Sequence, residues 1–396
     1  MRSVYVVVLA LVLTGIGPAF VVGVAAQVVE GAAAGEAAEV APVVPLEAEP
    51  VEPEPPPIEP VAPDFDFEAE LPANWQATTG EATLQITQLR DNVAAGTGAL
   101  ECLYTPSCTI SAGNLVPQPN ALSLRFSLKT TQPTNLVYGV AEADGSEYQS
   151  FCSVPAGAWQ QIALDLGELV LAQNSEDENV QLDADQINQV IIGDLANLEG
   201  EVGEALGQKI GQQTLWLDNV KLSPDPAPSR AGGGVPGERV LDVFDRPQVD
   251  CLAIGGAELS AGPAAGRKGA LQATYSLGAG RWVGFVTAAG HLDLAGATNV
   301  RLRLRAPQAT SIVVVLEERD LTKYETRLEL AGGEQWEDLV FPIANFILDD
   351  DSQDENGALD LPQVRVMILL CDMLTSGVDV LGKGVIAVDE ISFQTQ

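Results

Sequence analysis

Apolar and polar residues alternate along short stretches of this chain, in two widely separated regions. Between residues 122 and 126 Leu, Leu and Phe alternate with Ser and Arg, and between 300 and 304 Val, Leu and Leu alternate with arginines. A period of two is typical of strands with one buried face. Turn-forming clusters such as Asp144-Gly145 and Ala331–Gly333 separate the runs. With about eight to ten short strands in each region and no long amphipathic helix, the pattern predicts antiparallel jelly-roll β-sandwiches.

The two regions repeat each other in the same order. Gly98–Tyr104 corresponds to Gly269–Tyr275, Leu122–Phe126 to Val300–Leu304, Asp144 and Tyr148 to Asp320 and Tyr324, Trp159 to Trp336, and Leu215–Val220 to Ile386–Ile391. The offset between partners changes little along the chain. We interpret this as a domain duplication, and a domain of this size buries enough apolar surface to be stable without a disulfide.

One predicted strand near the end of each repeat shifts its pattern by one residue. Leu215 and Leu217 are followed by Val220 and Leu222, and the same shift occurs within residues 386–393. A shift of one residue inside a strand indicates a β-bulge. We therefore predict bulges at Asp218 and Asp389, and we expect both aspartates to be placed for a purpose.

The N-terminal part of the chain predicts export. Residues 1–26 hold Arg2 and an apolar stretch that ends in small residues, as a signal peptide does, but the stretch is also long enough for a retained anchor. Residues 27–63 are rich in Pro, Glu and Ala and predict a disordered, extended stalk. The sandwiches are expected at 64–223 and 238–396, joined by a second linker at 224–237. The protein is then secreted or displayed at the cell surface, and any membrane contact is through an uncleaved N-terminal segment.

The charge and the rare residue types exclude several classes of function. The chain has 55 acidic and 20 basic residues, a formal net charge of −35, so nucleic acid and anionic membranes are not expected as partners. The negative charge either maintains solubility or favours cations as binding partners. The single histidine, His291, argues against catalytic triads and histidine-ligated metals. The five cysteines include no CxxC pair, although Cys251 and Cys371 can pair, as can two of the other three.

Four motifs in the second repeat carry a family resemblance. They are Trp336, Phe341–Ile343, Asp354–Leu361 (Asp-Glu-Asn-Gly-Ala-Leu-Asp-Leu) and Val388–Ile391 (Val-Asp-Glu-Ile). This pattern resembles the galactose-binding-like sandwiches, above all family 11 carbohydrate-binding modules and the complex I intermediate-associated protein domains. It covers most of the second repeat and, more loosely, the first. It implies an all-β chain of two tandem jelly-roll, galactose-binding-like sandwiches.

The resemblance also implies a structural calcium ion near the first and last strands of each sandwich. The matching residues are Asp242, Asp245 and Asp389 in the second repeat and Asp64, Asp66 and Asp218 in the first. Calcium takes several hard oxygen ligands, which carboxylates supply. The alternative is that these aspartates cap turns or face water.

The resemblance further implies glucan binding on a shallow face. Aromatic rings there act as platforms that stack on sugars, and polar side chains act as arms that hydrogen-bond to sugar hydroxyls. The candidate platforms are Trp282, Tyr148 and Tyr324, and the candidate arms are Arg303, Asp320, Arg125 and Asp144. The first repeat has no counterpart of Trp282, and aromatic residues make up only 5% of the chain. For the two tyrosines, packing against a strand face is the alternative.

These observations favour an extracellular, non-catalytic protein that binds a polysaccharide such as a β-glucan. The second hypothesis is a surface-displayed structural or adhesive protein without a small-sugar ligand. A carboxylate-based glycosidase or lyase is the third, and no carboxylate pair stands out to support it. The acidic stretches 174–179 and 349–354 occupy equivalent loops and are interpreted as solvated turns.

Overall fold

The structure is a computed structural model that describes residues 62–396, apart from 174, 197–205, 207–210, 233–236, 265, 278–282, 351, 355, 373–381 and 396. The predicted signal or anchor segment, almost the whole stalk and Trp282 lie outside the described residues. Within the described residues, no helix is both long enough and apolar enough to cross a membrane.

The first sandwich contains ten β-strands in the part that is described. They are β1 (Asp64–Phe65), β2 (Trp75–Thr87), β3 (Ala99–Ala112), β4 (Ser123–Thr130), β5 (Thr134–Glu142), β6 (Glu147–Val154), β7 (Gln160–Asp165), β8 (Val170–Leu171), β9 (Ile187–Asp194) and β10 (Gln213–Ser223). Their order is β7-β4-β10-β3-β9-β5-β6-β8, with β1 on β10 and β2 on β3. Strand β3 pairs with β10 through residues 100–104 and with β9 through 109–112. It therefore passes from one layer of the sandwich to the other.

The second sandwich contains twelve β-strands in the part that is described. They are β11 (Glu238–Asp242), β12 (Cys251–Ile254), β13 (Glu258–Ala264), β14 (Arg267–Leu277), β15 (Val283–Ala288), β16 (Ala297–Arg305), β17 (Thr310–Glu318), β18 (Lys323–Leu330), β19 (Glu337–Pro342), β20 (Ile347–Leu348), β21 (Val364–Asp372) and β22 (Gly382–Thr395). One sheet has the order β13-β14-β22-β16-β19, with β11 on β22, and the other β12-β15-β21-β17-β18-β20. The all-β prediction is confirmed.

Each sandwich has an apolar core between its layers, and the alternation in the sequence marks it. Val300, Leu302 and Leu304 on β16 are fully buried, while the arginines between them are partly exposed. Leu124 on β4 is equally buried. Leu122, which precedes β4, departs from the pattern because its side chain is 48% exposed.

Equivalent sequence motifs occupy equivalent strands. Strand β4 lies between β7 and β10, and β16 lies between β19 and β22. Strand β5 lies between β6 and β9, as β17 lies between β18 and β21.

The predicted bulges are confirmed in both last strands. The pairing of β10 with β4 shifts between Asp218 and Lys221, and Asn219 has a φ of 53°. The pairing of β22 with β16 shifts at Asp389, between Glu390 and Val388. The interruption of the apolar pattern in the sequence therefore located a real irregularity of the backbone.

A third apolar cluster joins the two sandwiches. In the first sandwich its members lie on or near β5, β6, β8 and β9, and in the second they lie on β12, β15, β17 and β21. They are Val137, Ala141, Phe151, Val170, Ile191, Leu195 and Leu206, and then Leu252, Ile254, Val286, Ala288, Val313, Val315, Val366, Ile368 and Leu370. Asn135 adds polar contacts, because its amide donates to the Ala253 carbonyl (3.0 Å) and accepts from the Ala253 backbone N–H (3.2 Å). One sheet face of each sandwich is consequently buried against the other.

The described part of the second linker packs against both sandwiches. The Arg230 guanidinium is 1% exposed and donates from Nε to Asp242 (3.0 Å) and from Nη2 to Thr287 (2.7 Å). Its backbone N–H donates to Glu168 of the first sandwich (3.3 Å). This segment is therefore a packed connection between the domains.

All five cysteines are buried free thiols. Cys251 on β12 and Cys371 on β21 are separated by β15 and do not bridge, in contrast to the pairing considered from the sequence. Cys102 and Cys108 lie closer, with their sulfur atoms 3.6 Å apart.

Candidate functional site

The two tyrosines expected as sugar platforms are core residues. Tyr148 and Tyr324 are each 3% exposed and belong to the cores of their sandwiches. Their hydroxyls donate to Asp177 and Asp354 respectively. Rings buried to this degree do not form exposed platforms on a sheet face, which favours the packing alternative.

The predicted polar arms do not meet on one surface. Arg303 on β16 binds Asp338 (2.8 Å) and Asp389 (3.1 Å), and Arg125 on β4 donates to the carbonyl groups of residues 225 and 226. Asp144 and Asp320 are exposed in turns after β5 and β17, in the other layer of each sandwich. In each sandwich, the two predicted arms therefore lie in different layers.

The calcium ligands predicted in the second sandwich are already neutralised by arginines. Asp242 accepts from Arg230, and Asp389 lies 3.2 Å from Arg267 as well as close to Arg303. Asp245 is exposed. Guanidinium groups occupy the places where a cation would bind, so this set does not fit calcium.

The set predicted in the first sandwich is also not assembled. Asp218 Oδ2 accepts from the backbone N–H groups of Ala94 and Ala95, each at 3.0 Å, while Oδ1 is buried without a partner among the described residues. Burial raises the pKa of Asp218. Asp64 and Asp66 are exposed. One free carboxylate oxygen is too few for calcium, which needs several ligands.

A different acidic cluster lies at the turn after β5. Ligand oxygens of Glu142, Asp144 and Asp177 lie within 4.8 Å of one another, and no other trio of potential ligands this close occurs among the described residues. Burial raises the pKa of Glu142. The loop around Asp177 was interpreted from the sequence as a solvated turn, and its proximity to Glu142 depends on pairing that the sequence did not specify.

The second sandwich has acids at the equivalent positions of the turn after β17, but their ligand oxygens do not all lie within 4.8 Å of one another. Glu318, Asp320 and Asp354 stand at the equivalent positions, and the Glu318 side chain accepts from the Asp360 backbone N–H. Burial, together with the nearby carboxylates, raises the pKa of Glu318 to about 7. The closer carboxylates of the first sandwich are the better candidates for a bound cation, because a positive ion relieves their mutual repulsion.

A pocket of about 470 Å³ opens between the two sandwiches. Its walls come from the β7–β8 region and the 180–184 loop of the first sandwich and from two turns of the second: Ala121, Leu122, Tyr148, Asp165, Leu166, Gly167, Leu169, Val170, Leu171, Val180, Gln181, Leu182, Ala184, Gly290, His291 and Arg319. Asp165 is the only carboxylate among these described lining residues. The pocket combines an apolar wall with a few polar groups, as small-molecule sites at domain interfaces do.

His291 is a neutral polar group in this pocket. Neither ring nitrogen has a hydrogen-bond partner among the described residues, and Nδ1 is enclosed. Burial and the positive charges of Arg230 and Arg246 lower the pKa of His291 to about 3. The ring is therefore uncharged in any physiological medium, with hydrogen-bonding capacity to spare.

Val180, also in the pocket wall, has a strained backbone. Its φ is 57°, in the left-handed region that β-branched residues rarely adopt. The equivalent residue of the second sandwich is Gly357, with a φ of 68°. The first sandwich thus keeps a 39% exposed apolar side chain where the backbone favours glycine, and strain of this kind is often associated with function.

Comparisons with protein-family models and with curated proteins find no match. Among solved structures, the chain is similar to the family 11 carbohydrate-binding module of a Clostridium thermocellum cellulase (16% identity, 40% of this chain and 95% of that one, TM-score 0.32). It is also similar to a tandem of two family 22 carbohydrate-binding modules from Paenibacillus barcinonensis (14%, 84% and 96%, TM-score 0.30). An exo-β-agarase matches over 42% of this chain and 26% of that one, with 16% identity and a TM-score of 0.31.

Proposed function

We propose that this chain is a non-catalytic carbohydrate-binding protein, displayed outside the cytoplasm, that holds a short or terminal sugar in the pocket between its sandwiches. The pocket is the observation that carries the proposal. A sugar ring presents C–H faces to the apolar wall and hydroxyls to Asp165, Gln181 and His291. The sheet face that each sandwich buries against the other is closed to an extended polysaccharide.

The size and chemistry of the pocket set the expected affinity. At about −0.3 kcal/mol per non-hydrogen atom, a monosaccharide reaches about −4 kcal/mol, which is a roughly millimolar dissociation constant. Several chain ends on one polysaccharide can strengthen attachment when many copies of the protein are displayed together. Weak binding of one sugar is therefore compatible with retention at a surface.

The alternative is a structural surface protein without a small-sugar ligand. The observation that favours it is the apolar cluster joining the sandwiches, which makes a rigid double domain suitable as a spacer. This alternative does not account for the strained Val180 or for His291, whose ring has no hydrogen-bond partner among the described residues at the pocket. Titration with sugars separates the two functions.

Val180→Gly is expected to weaken sugar binding several-fold without destabilising the fold. The substitution removes the apolar side chain that contacts the sugar, which costs about 1 kcal/mol of binding free energy. It also relieves about 1–2 kcal/mol of strain in the folded state, because glycine adopts the left-handed conformation freely. Its greater freedom in the unfolded chain offsets about 0.5–1 kcal/mol of that relief. Calorimetric titration of the full chain with a monosaccharide panel, alongside denaturant unfolding, measures both effects.

Val340→Ala is the matched control, because Val340 is 52% exposed on β19, away from the pocket. It should leave binding unchanged. If no member of a panel of neutral and acidic sugars binds the wild-type chain, the proposed function is wrong and the structural alternative stands.

We also propose that Ca²⁺ binds the cluster of Glu142, Asp144 and Asp177. Calcium at ten times its dissociation constant should stabilise the protein by about 1.4 kcal/mol. The effect should be larger at pH 8 than at pH 5, because protons compete for Glu142, whose pKa is raised. Asp144→Asn should abolish it, and thermal unfolding with calcium or a chelator measures it.

Asp320→Asn, at the equivalent turn of the second sandwich, is the control for the site assignment. It leaves the first cluster intact, so the first sandwich should keep its response to calcium. Equal stabilisation of wild type and Asp144→Asn by calcium would show that the ion binds elsewhere.

A further inference from the structure

Positive charge is concentrated behind one wall of the pocket, in a protein whose net charge is −35. Arg365 on β21 is 1% exposed, and its Cα lies 3.4 Å from the position that a Cβ on the pocket residue Gly290 would take. Its Nη2 donates to Glu317 at 2.7 Å, while Nε and Nη1 are buried without partners among the described residues. Lys323 lies 3.7 Å from the same glutamate. Glu317 thus lies beside two buried cations.

Arg319 adds a third cation, at the pocket itself. Its guanidinium makes no hydrogen bond or ion pair with any described residue, and it lies close enough to Arg365 for the two charges to repel. The other described arginine without such a partner, Arg90, is exposed on a surface turn. A half-buried arginine with no counterion among the described residues is unexpected in a chain with 55 acidic residues. Within the part of the chain that the structure describes, the pocket is therefore a place where a partly buried cation lacks a partner.

We propose that the pocket selects sugars that carry one carboxylate, such as a terminal uronic acid residue, and that Arg319 binds this carboxylate. The inference rests on the proposed function and specifies the class of sugar. A guanidinium matches a planar carboxylate with two parallel hydrogen bonds. The neutral His291 ring hydrogen-bonds a hydroxyl group and, being uncharged, does not compete for the anion.

The ligand is a single acidic residue and not a polyanionic chain. The protein repels a polyanion over long range, and Asp165 in the pocket lining adds a local negative charge. At about 0.15 M salt the screening length is about 8 Å, so a short ligand inside the pocket is affected mainly by the groups that line it. Binding should therefore persist at physiological ionic strength.

The test is titration of the full chain with glucuronic and galacturonic acid, the parent hexoses, glucuronic acid methyl ester and glucose 6-sulfate. Because the chain has one histidine, the Hε1 signal of the His291 imidazole can be assigned directly and reports on the pocket. We expect uronic acids to shift this signal and to bind about tenfold or more tightly than the hexoses and the methyl ester. Arg319→Gln should abolish the preference, and Arg319→Lys should restore part of it.

The failure of this inference and the failure of the proposed function give different results. If hexoses bind as well as uronic acids, or Arg319→Gln leaves the preference intact, the acidic-sugar assignment is overturned while carbohydrate binding stands. Tighter binding of the sulfate than of the uronic acids overturns the choice of carboxylate. If no sugar binds or shifts the His291 signal, both proposals fail. Arg90→Gln, which removes an exposed arginine, should change nothing.

Discussion

Arg230→Ala is expected to lower the free energy of unfolding by about 3–5 kcal/mol, because it leaves a buried carboxylate without its counterion. Arg230 and Asp242 are both nearly inaccessible, and their side chains meet at 3.0 Å. Arg230 also donates to Thr287, so the variant leaves a second buried group unsatisfied. Denaturant unfolding of the full chain at neutral pH measures the loss.

The pH dependence of this loss identifies its cause. Burial already raises the pKa of Asp242, and the charge of Arg230 opposes that rise. Without Arg230 the folded-state pKa rises further above the unfolded value, so the variant is least destabilised where Asp242 is protonated and loses stability as the pH increases. The deficit should therefore be smaller at acidic pH than at pH 8.

The double variant Arg230→Met, Asp242→Leu is the control for the charge explanation. It replaces the pair by apolar side chains of similar size, and such replacements are often close to neutral. It should cost clearly less than Arg230→Ala alone. A stability of Arg230→Ala within about 0.5 kcal/mol of the wild type, the usual range for a neutral surface change, would contradict the prediction.

Local patterns in the sequence were sufficient for the fold and for its irregularities. Burial on one face of a strand imposes a period of two, so Val300, Leu302 and Leu304 could be assigned to the core directly. A bulge interrupts that period, so Asp218 and Asp389 were located correctly. These features depend on neighbours along one strand, so the local sequence records them, except at a strand end such as Leu122, which is exposed.

The candidate site depended on contacts between distant parts of the chain, and most of it was not predicted. Tyr148 and Tyr324 stood out as aromatic residues with polar neighbours, but a tyrosine buried with its hydroxyl bonded to an aspartate has the same local sequence. The pocket joins a loop near residue 180 to turns near 290 and 319, which only the docking of the two sandwiches brings together. The available signal was the lone His291, together with a valine at 180 where the other repeat has glycine.

Docking of the sandwiches is tested by Phe151→Ala, which is expected to cost about 3–5 kcal/mol. Phe151 on β6 is completely buried, and it belongs to the apolar cluster between the domains and not to the core of its own sandwich. Because the two sandwiches share this cluster, the wild type should unfold in a single cooperative transition, with equal calorimetric and van't Hoff enthalpies. Removing the ring should separate this into two transitions.

Phe126→Ala distinguishes loss of docking from a general loss of stability. Phe126 is 2% exposed and packs within the core of the first sandwich, so its truncation should lower the midpoint while leaving one transition. Two independent transitions in the wild type, with Phe151→Ala moving only one of them, would contradict the coupling. Because the pocket needs walls from both sandwiches, Phe151→Ala should also weaken sugar binding, whereas Phe126→Ala should preserve it below its unfolding midpoint.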